Sequence, residues 1–218
     1  MPVDFRLYLI TDRKVSTKPL PEAVRLALEG GVRAVQLREK DLPIRELLAL
    51  ARELRSITRG FGAKLFINDR VDVAAAVDAD GVHLGTRSMP PEGARKAVGK
   101  GMLIGVSTHD LEEAKAAEAG GADFITFGPV FETPSKVKYG TPVGLEVIKS
   151  LVYEVKIPVF AIGGINGGNI TQVIQSGVAG VAVISAIFSS PDIKMAASKF
   201  AQAEKIIEKY RCNDCAPR

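Results

Sequence analysis

Short runs of consecutive apolar residues alternate along the whole chain with segments whose apolar positions recur every three to four residues. The short runs fall at 6–11, 34–38, 64–68, 81–84, 103–107, 123–128, 159–163 and 180–185. Most are nearly continuous in Val, Ile, Leu and Phe, which suits strands of a parallel sheet covered by helices.

The segments between them read as helices. Leu47, Leu48, Ala51 and Leu54 form one apolar stripe, and Leu111, Ala114 and Ala117 another. Gly30-Gly31, Gly120-Gly121 and Gly177 supply stop signals just before a strand. Pro43, Pro90 and Pro191 suit the first helical turn, and Asp110 with Glu113 spells a capping box. The glycine-then-strand echo needs no internal repeat, because every helix-to-strand loop favours a glycine.

Eight strand–helix units in 218 residues leave about 27 residues each, close to the minimum for a helical crossover. Strict alternation with that count predicts an α/β fold of the (β/α)8 TIM-barrel type. An open doubly wound sheet is the alternative, but no G-x-G-x-x-G fingerprint follows the first strand. No linker or composition shift divides the chain. The expected organisation is one domain over 1–210 with a short tail over 211–218.

Composition narrows the class. Hydrophobic residues are 46% and charged residues 25%, an ordinary globular mix. No apolar run reaches the roughly 18 residues of a membrane span, and the start lacks a signal-peptide pattern. The two cysteines, Cys212 and Cys215, sit in the last seven residues, so no disulfide framework is expected and the setting reads as cytoplasmic. Cys212-x-x-Cys215 is half a zinc site and reads as tail. A net charge of +4 with both signs interspersed does not call for a nucleic-acid partner, nor does any segment call for a membrane.

In a barrel of this type chemistry collects at the C-terminal ends of the strands. The second strand ends in Gln36-Leu37-Arg38-Glu39-Lys40, and alternation would put Gln36, Arg38 and Lys40 on one side. Elsewhere this would read as a solvated charge run; at a barrel mouth two like charges need an anion. The third strand ends in Asn68-Asp69, where a carboxylate could hold Mg²⁺ or cap the next helix. Gly163-Gly164 and Ile184-Ser185 close strands seven and eight, the usual phosphate position of the fold. Ser107-Thr108-His109 ends strand five, and the long 128–140 stretch, carrying Lys136 and Lys138, is placed as a lid would be. His83, inside an apolar run, reads as a buried, hydrogen-bonded core residue.

Taken in order, YLITDR, QLREK, INDRVD, GVHLG, GVSTH, FGPVF-x-TPSK, AIGGI and VISAI resemble thiamine-phosphate synthases from about Leu7 to Phe188. The resemblance implies a TIM barrel that joins hydroxymethylpyrimidine diphosphate to thiazole phosphate with Mg²⁺, releasing diphosphate. It implies that Gln36, Arg38, Lys40, Asn68, Ser107 and Lys136 hold the pyrimidine diphosphate, with Arg38, Lys40, Ser107 and Lys136 carrying the chemistry. It further implies Asp69 on Mg²⁺, and Thr133, Ser135, Gly164, Ile184 and Ser185 on the thiazole phosphate. The expected partners are these small-molecule phosphates, with a homo-oligomer possible.

One segment departs from the family. After GVHLG the pattern carries Gln, an acidic residue and then a second metal-ligand Asp, whereas this chain reads Thr86-Arg87-Ser88. Such a change resembles the thiazole tautomerase-like relatives, which keep the barrel and the thiazole phosphate pocket. Those relatives carry a histidine where this chain has Pro129. The tautomerase-like enzyme, or a non-catalytic binder of thiamine-pathway phosphates, is therefore the alternative to a synthase.

Overall fold

Strands and helices alternate in a single file that closes on itself. The computed structural model describes residues 3–133 and 142–202. The strands are β1 (Leu7–Ile10), β2 (Ala34–Leu37), β3 (Lys64–Asn68), β4 (Gly81–Leu84), β5 (Leu103–Thr108), β6 (Phe124–Phe127), β7 (Val159–Ile162) and β8 (Gly180–Val183). The helices are α1 (Leu20–Glu29), α2 (Ile44–Gly60), α3 (Val71–Ala76), α4 (Pro91–Val98), α5 (Leu111–Ala119), α6 (Gly144–Glu154), α7 (Ile170–Gln175) and α8 (Ser185–Phe188), followed by a helix over 193–202. Every neighbouring strand pair is parallel, and β8 pairs with β1, so the sheet is a closed (β/α)8 barrel. No described helix is long and apolar enough to cross a membrane.

The continuous apolar reading of the strands has a plain cause: both faces are buried. Leu7, Leu9, Val35, Leu37, Leu65 and Ile67 pack outward with the helices. The alternate residues Tyr8, Ile10, Ala34, Phe66, Leu103, Phe124 and Phe160 pack together inside the barrel. Phe5, Tyr8, Phe66, Phe124 and Phe160 form an aromatic floor, with most ring centroids 5.2–5.6 Å apart and many edge-on. Such pairs are worth about 0.5–1.5 kcal/mol each beyond the area they bury. Above the floor the inward positions turn polar: Gln36, Asn68, His83, Ser107 and Thr126.

Two half-buried ion pairs repeat at the opposite end of the barrel. Asp80 Oδ2 accepts from Leu65 N at 2.8 Å and from Arg55 Nη1 at 2.6 Å. Asp123 Oδ2 accepts from Ile104 N at 2.7 Å and from Arg95 Nη2 at 2.5 Å. Each carboxylate precedes a strand and ties off the backbone of the strand before it.

The helix boundaries follow the sequence signals with small shifts. Gly31, Gly121 and Gly177 each turn the chain through a positive φ, 108°, 86° and 87°. That conformation costs a side-chain-bearing residue energy, which explains the glycine echo without a repeat. Pro43 and Pro90 sit one residue earlier than expected, at the N-cap positions of α2 and α4. Asp110 does cap α5, accepting from Glu113 N at 2.8 Å. Glu113, however, reaches one residue further back, to His109 N at 2.7 Å.

Candidate active site

The mouth of the barrel, at the C-terminal strand ends, holds three groups of residues. The first follows β1 and β2. β2 ends at Leu37, so the expected alternation through Lys40 does not hold: Arg38 is half-buried, Glu39 is buried and Lys40 lies exposed in a turn. Glu39 Oε1 accepts from Thr11 Oγ1 at 2.8 Å and Arg13 N at 3.1 Å, and Oε2 accepts from Arg13 Nη1 at 2.9 Å. Thr11 Oγ1 in turn accepts from Arg38 N at 2.9 Å. Arg13 also forks onto Asp41 at 2.6 and 3.0 Å. Asp41 and then Glu39 hold the Arg13 guanidinium above its ordinary value, and Arg13 and then Lys14 hold the Asp41 carboxyl below its own. The result pins the backbone that carries Arg38.

The second group spans β3 and β4. Asp69 adopts a left-handed backbone, φ 64°, rare outside glycine. Neither Asn68 nor Asp69 caps α3, whose N-cap residue is Arg70 with no side-chain cap bond. Asn68 Nδ2 instead donates to Asp69 Oδ2 at 3.2 Å, and the Ser88 hydroxyl donates to Asp69 Oδ1. Ser88 Oγ accepts from Gly85 N at 2.6 Å. Arg87 is exposed.

The donor set around Asp69 bears on Mg²⁺. No group of three His, Cys, Asp or Glu side chains able to hold a metal occurs among the described residues. Mg²⁺ is content with one or two carboxylates plus phosphate oxygens and water. Asp69, with the Ser88 hydroxyl beside it, fits such a site when a diphosphate supplies the other oxygens.

The third group lies across the mouth. Thr133, Ile162, Gly163, Gly164, Ile165, Ala182, Val183, Ile184, Ser185 and Ala186 line a small cleft that opens to solvent. None of these is charged, so an anion here would rest on hydroxyls and on amides, among them the first N–H groups of α8, which no described side chain caps. Gly163 and Gly164 have φ 102° and 67°. A Cβ on Gly164 would lie 2.6 Å from Phe131 Cβ and 2.8 Å from the Glu132 carbonyl, not in the cleft. The glycine is thus required by the loop after β6, which Val130 N and Phe131 N fasten to the Ile162 and Gly163 carbonyls at 2.9 and 3.1 Å.

Beneath these groups lies a polar core that bridges floor and mouth. Gln36 Nε2 donates to the Tyr8 hydroxyl at 3.2 Å. Tyr8 Oη lies 3.4 Å from His83 Nδ1, and His83 Nε2 lies 3.0 Å from Ser107 Oγ. His83 is 2% exposed, as its place in an apolar run implied.

The structure therefore brings Gln36 and Ser107 into one network, Asn68 and Asp69 into a second, and Thr133, Gly164, Ile184 and Ser185 into one cleft. Ser135 and Lys136 lie outside the described residues, as do Cys212 and Cys215. Sequence reading passed over Glu39, Thr11, Arg13, Tyr8 and Thr126. A signal existed for Glu39, a lone carboxylate between two cations at a strand end.

The thiamine monophosphate synthase family pattern matches residues 7–187, which spans every strand of the barrel. The chain belongs to the thiamine monophosphate synthase family. A Geobacter sulfurreducens protein is 58% identical over 191 residues, 87% of this chain and 90% of its own. The thiamine-phosphate synthase of Pyrococcus furiosus is 47% identical over 203 residues, covering 93% and 95% of the two chains. A solved structure of a Pyrococcus furiosus thiamine phosphate pyrophosphorylase superposes with a TM-score of 0.84 at 46% identity, over 94% of this chain and 96% of that one. A 3-hexulose-6-phosphate synthase, 17% identical with a TM-score of 0.67, shares the barrel alone.

Proposed function

We propose that this chain is a thiamine-phosphate synthase, joining a hydroxymethylpyrimidine diphosphate to a thiazole phosphate and releasing diphosphate. The reading rests on the family match together with a mouth whose two sides suit unlike anions. One side carries cations and a carboxylate; the other is a neutral cup of hydroxyls and amides.

In the reaction the bond between the pyrimidine's methylene carbon and the diphosphate oxygen breaks, and its electron pair leaves with diphosphate. The thiazole nitrogen donates its lone pair to that carbon, forming the new C–N bond. No general base is required, so the chain's work is charge neutralisation and alignment. Arg38, Lys40 and Lys136 take the diphosphate oxyanions, while Gln36, Asn68 and Ser107 orient the pyrimidine. Thr133, Ser135, Gly164, Ile184 and Ser185 seat the thiazole phosphate. Mg²⁺, held by Asp69 and diphosphate oxygens, would offset the charge that develops on the leaving group. The catalytic unit is one domain over 1–210 with a tail over 211–218, set in the cytoplasm, with a homo-oligomer compatible with it.

The test is one assay of purified protein with both substrates, with and without EDTA. Mg²⁺-dependent diphosphate release with a thiamine phosphate product supports the synthase. Binding of the thiazole phosphate without diphosphate release would replace it with the tautomerase-like or binder reading.

A further inference from the structure

The geometry points to His83 as a positioning residue: Tyr8 holds it in the Nε2–H form, and it thereby presents Ser107 to the mouth as a hydrogen-bond donor. The substrate atom seated over Ser107 is then an acceptor. On the synthase reading, that atom is an acceptor of the pyrimidine diphosphate, a ring nitrogen or a diphosphate oxygen, and not the exocyclic amine.

The argument follows the protons from the floor upward. Gln36 is 1% exposed, and its amide nitrogen, a donor only, faces the Tyr8 oxygen at 3.2 Å. With that oxygen accepting from Gln36, the Tyr8 proton is directed to its other polar neighbour, His83 Nδ1 at 3.4 Å. Burial pushes the Tyr8 hydroxyl well above 10, which keeps it protonated and a donor. A neutral imidazole that accepts at Nδ1 carries its proton on Nε2. Nε2 faces Ser107 Oγ at 3.0 Å, so Ser107 accepts there.

The Thr126 hydroxyl, 1% exposed, donates to the same Ser107 oxygen at 3.4 Å. Both inward approaches to Ser107 Oγ are therefore made by donors, and its own proton turns to the mouth, where Ser107 is half-buried. The imidazole cannot easily turn over, because the Tyr8 and Phe124 rings pack on it with centroids 5.6 and 5.9 Å away.

The full chain, labelled with ¹⁵N-histidine, tests this directly. It has two histidines, and His109→Gln assigns their resonances. His83 should show a bare Nδ1 and a protonated Nε2; the opposite tautomer would overturn the inference, whatever reaction the protein catalyses. In Tyr8→Phe the two nitrogen shifts should move towards a tautomer average. In the coupling assay Tyr8→Phe should lower kcat/KM for the pyrimidine diphosphate about tenfold. Adding Ser107→Ala to it should cost little beyond Ser107→Ala alone, because both act through one bond. Fully additive losses, or Tyr8→Phe kinetics equal to the parent, would sink the positioning role. Should Tyr8→Phe not fold, His83→Gln, whose amide can still donate near Nε2, should retain several-fold more activity than His83→Leu. Equal losses in those two would count against the inference. Absence of coupling activity in the parent would instead refute the synthase reading and leave the tautomer result standing.

Discussion

Ser88 donates its hydroxyl proton to Oδ1 of Asp69, a carboxylate at the end of β3 on the barrel mouth. With Asn68 Nδ2 on Oδ2 at 3.2 Å, both oxygens of Asp69 already have neutral donors. A cation approaching Asp69 must compete with these bonds and meets one formal negative charge.

Ser88→Asp should therefore reduce the Mg²⁺ concentration needed for half-maximal rate. Two carboxylates this close repel by about 1–4 kcal/mol, depending on local screening, and a divalent cation turns that repulsion into attraction. Thermal unfolding should show a larger Mg²⁺-induced rise in Tm for the variant than for the parent. The double change Arg87→Glu with Ser88→Asp guards against Arg87 masking the new charge. Unchanged Mg²⁺ dependence in both variants would refute the assignment of Asp69 to the metal.

Glu39→Gln should loosen the β1 and β2 ends. The buried carboxylate takes three donors, and an amide can satisfy only some of them. The expected stability loss is about 1–3 kcal/mol, read as a lower urea midpoint, with a higher KM for the diphosphate substrate. The adjoining Arg13–Asp41 pair should persist through neutral and mildly acid conditions. Because the Asp41 carboxyl is held down by Arg13, the pair's contribution is in place above the ordinary value of about 3.9 and fades only below it.

Gly164→Ala should weaken thiazole phosphate binding indirectly. Its Cβ meets Phe131 and Glu132, so the loop after β6 must move, and φ 67° is strained for alanine. The strain alone is about 1–2 kcal/mol. Calorimetry should show at least fivefold weaker binding of the phosphate together with a lower Tm; parent-like values for both would contradict this packing.

Asp123→Ala should separate stability from chemistry. It strips a partner from Ile104 N and from Arg95 at the end of the barrel away from the mouth. A loss of about 1–3 kcal/mol in chemical denaturation should accompany kcat/KM within twofold of the parent.

Lys136→Ala should slow turnover at least tenfold, about 1.4 kcal/mol of barrier. An unaltered kcat/KM for the pyrimidine diphosphate would remove Lys136 from the diphosphate site.

The barrel was legible because its strands are buried on both sides, so each became a continuous apolar run between glycine-ended helices. The cleft residues Gly164, Ile184 and Ser185 were legible for a related reason: strand ends are readable, and this fold gathers its strand ends at one place. The relation of Glu39 to Arg38 was not. A pleat was extended through Lys40, but the strand stops at Leu37, and the loop then follows hydrogen bonds to Thr11 and Arg13, 25 or more residues away in sequence. The Tyr8–His83–Ser107 chain was hidden similarly, since registers between β1, β4 and β5 decide it and no single strand records them.

The aromatic floor makes the barrel a cup with one doorway. Phe66, Phe124 and Phe160 leave no passage downward, so both substrates enter, and diphosphate and the larger product leave, through the same opening. Traffic there is sequential by necessity. A molecule lodged on the cup's rim delays whatever lies deeper, and the order in which the two phosphates load and clear becomes a property of depth as much as of affinity.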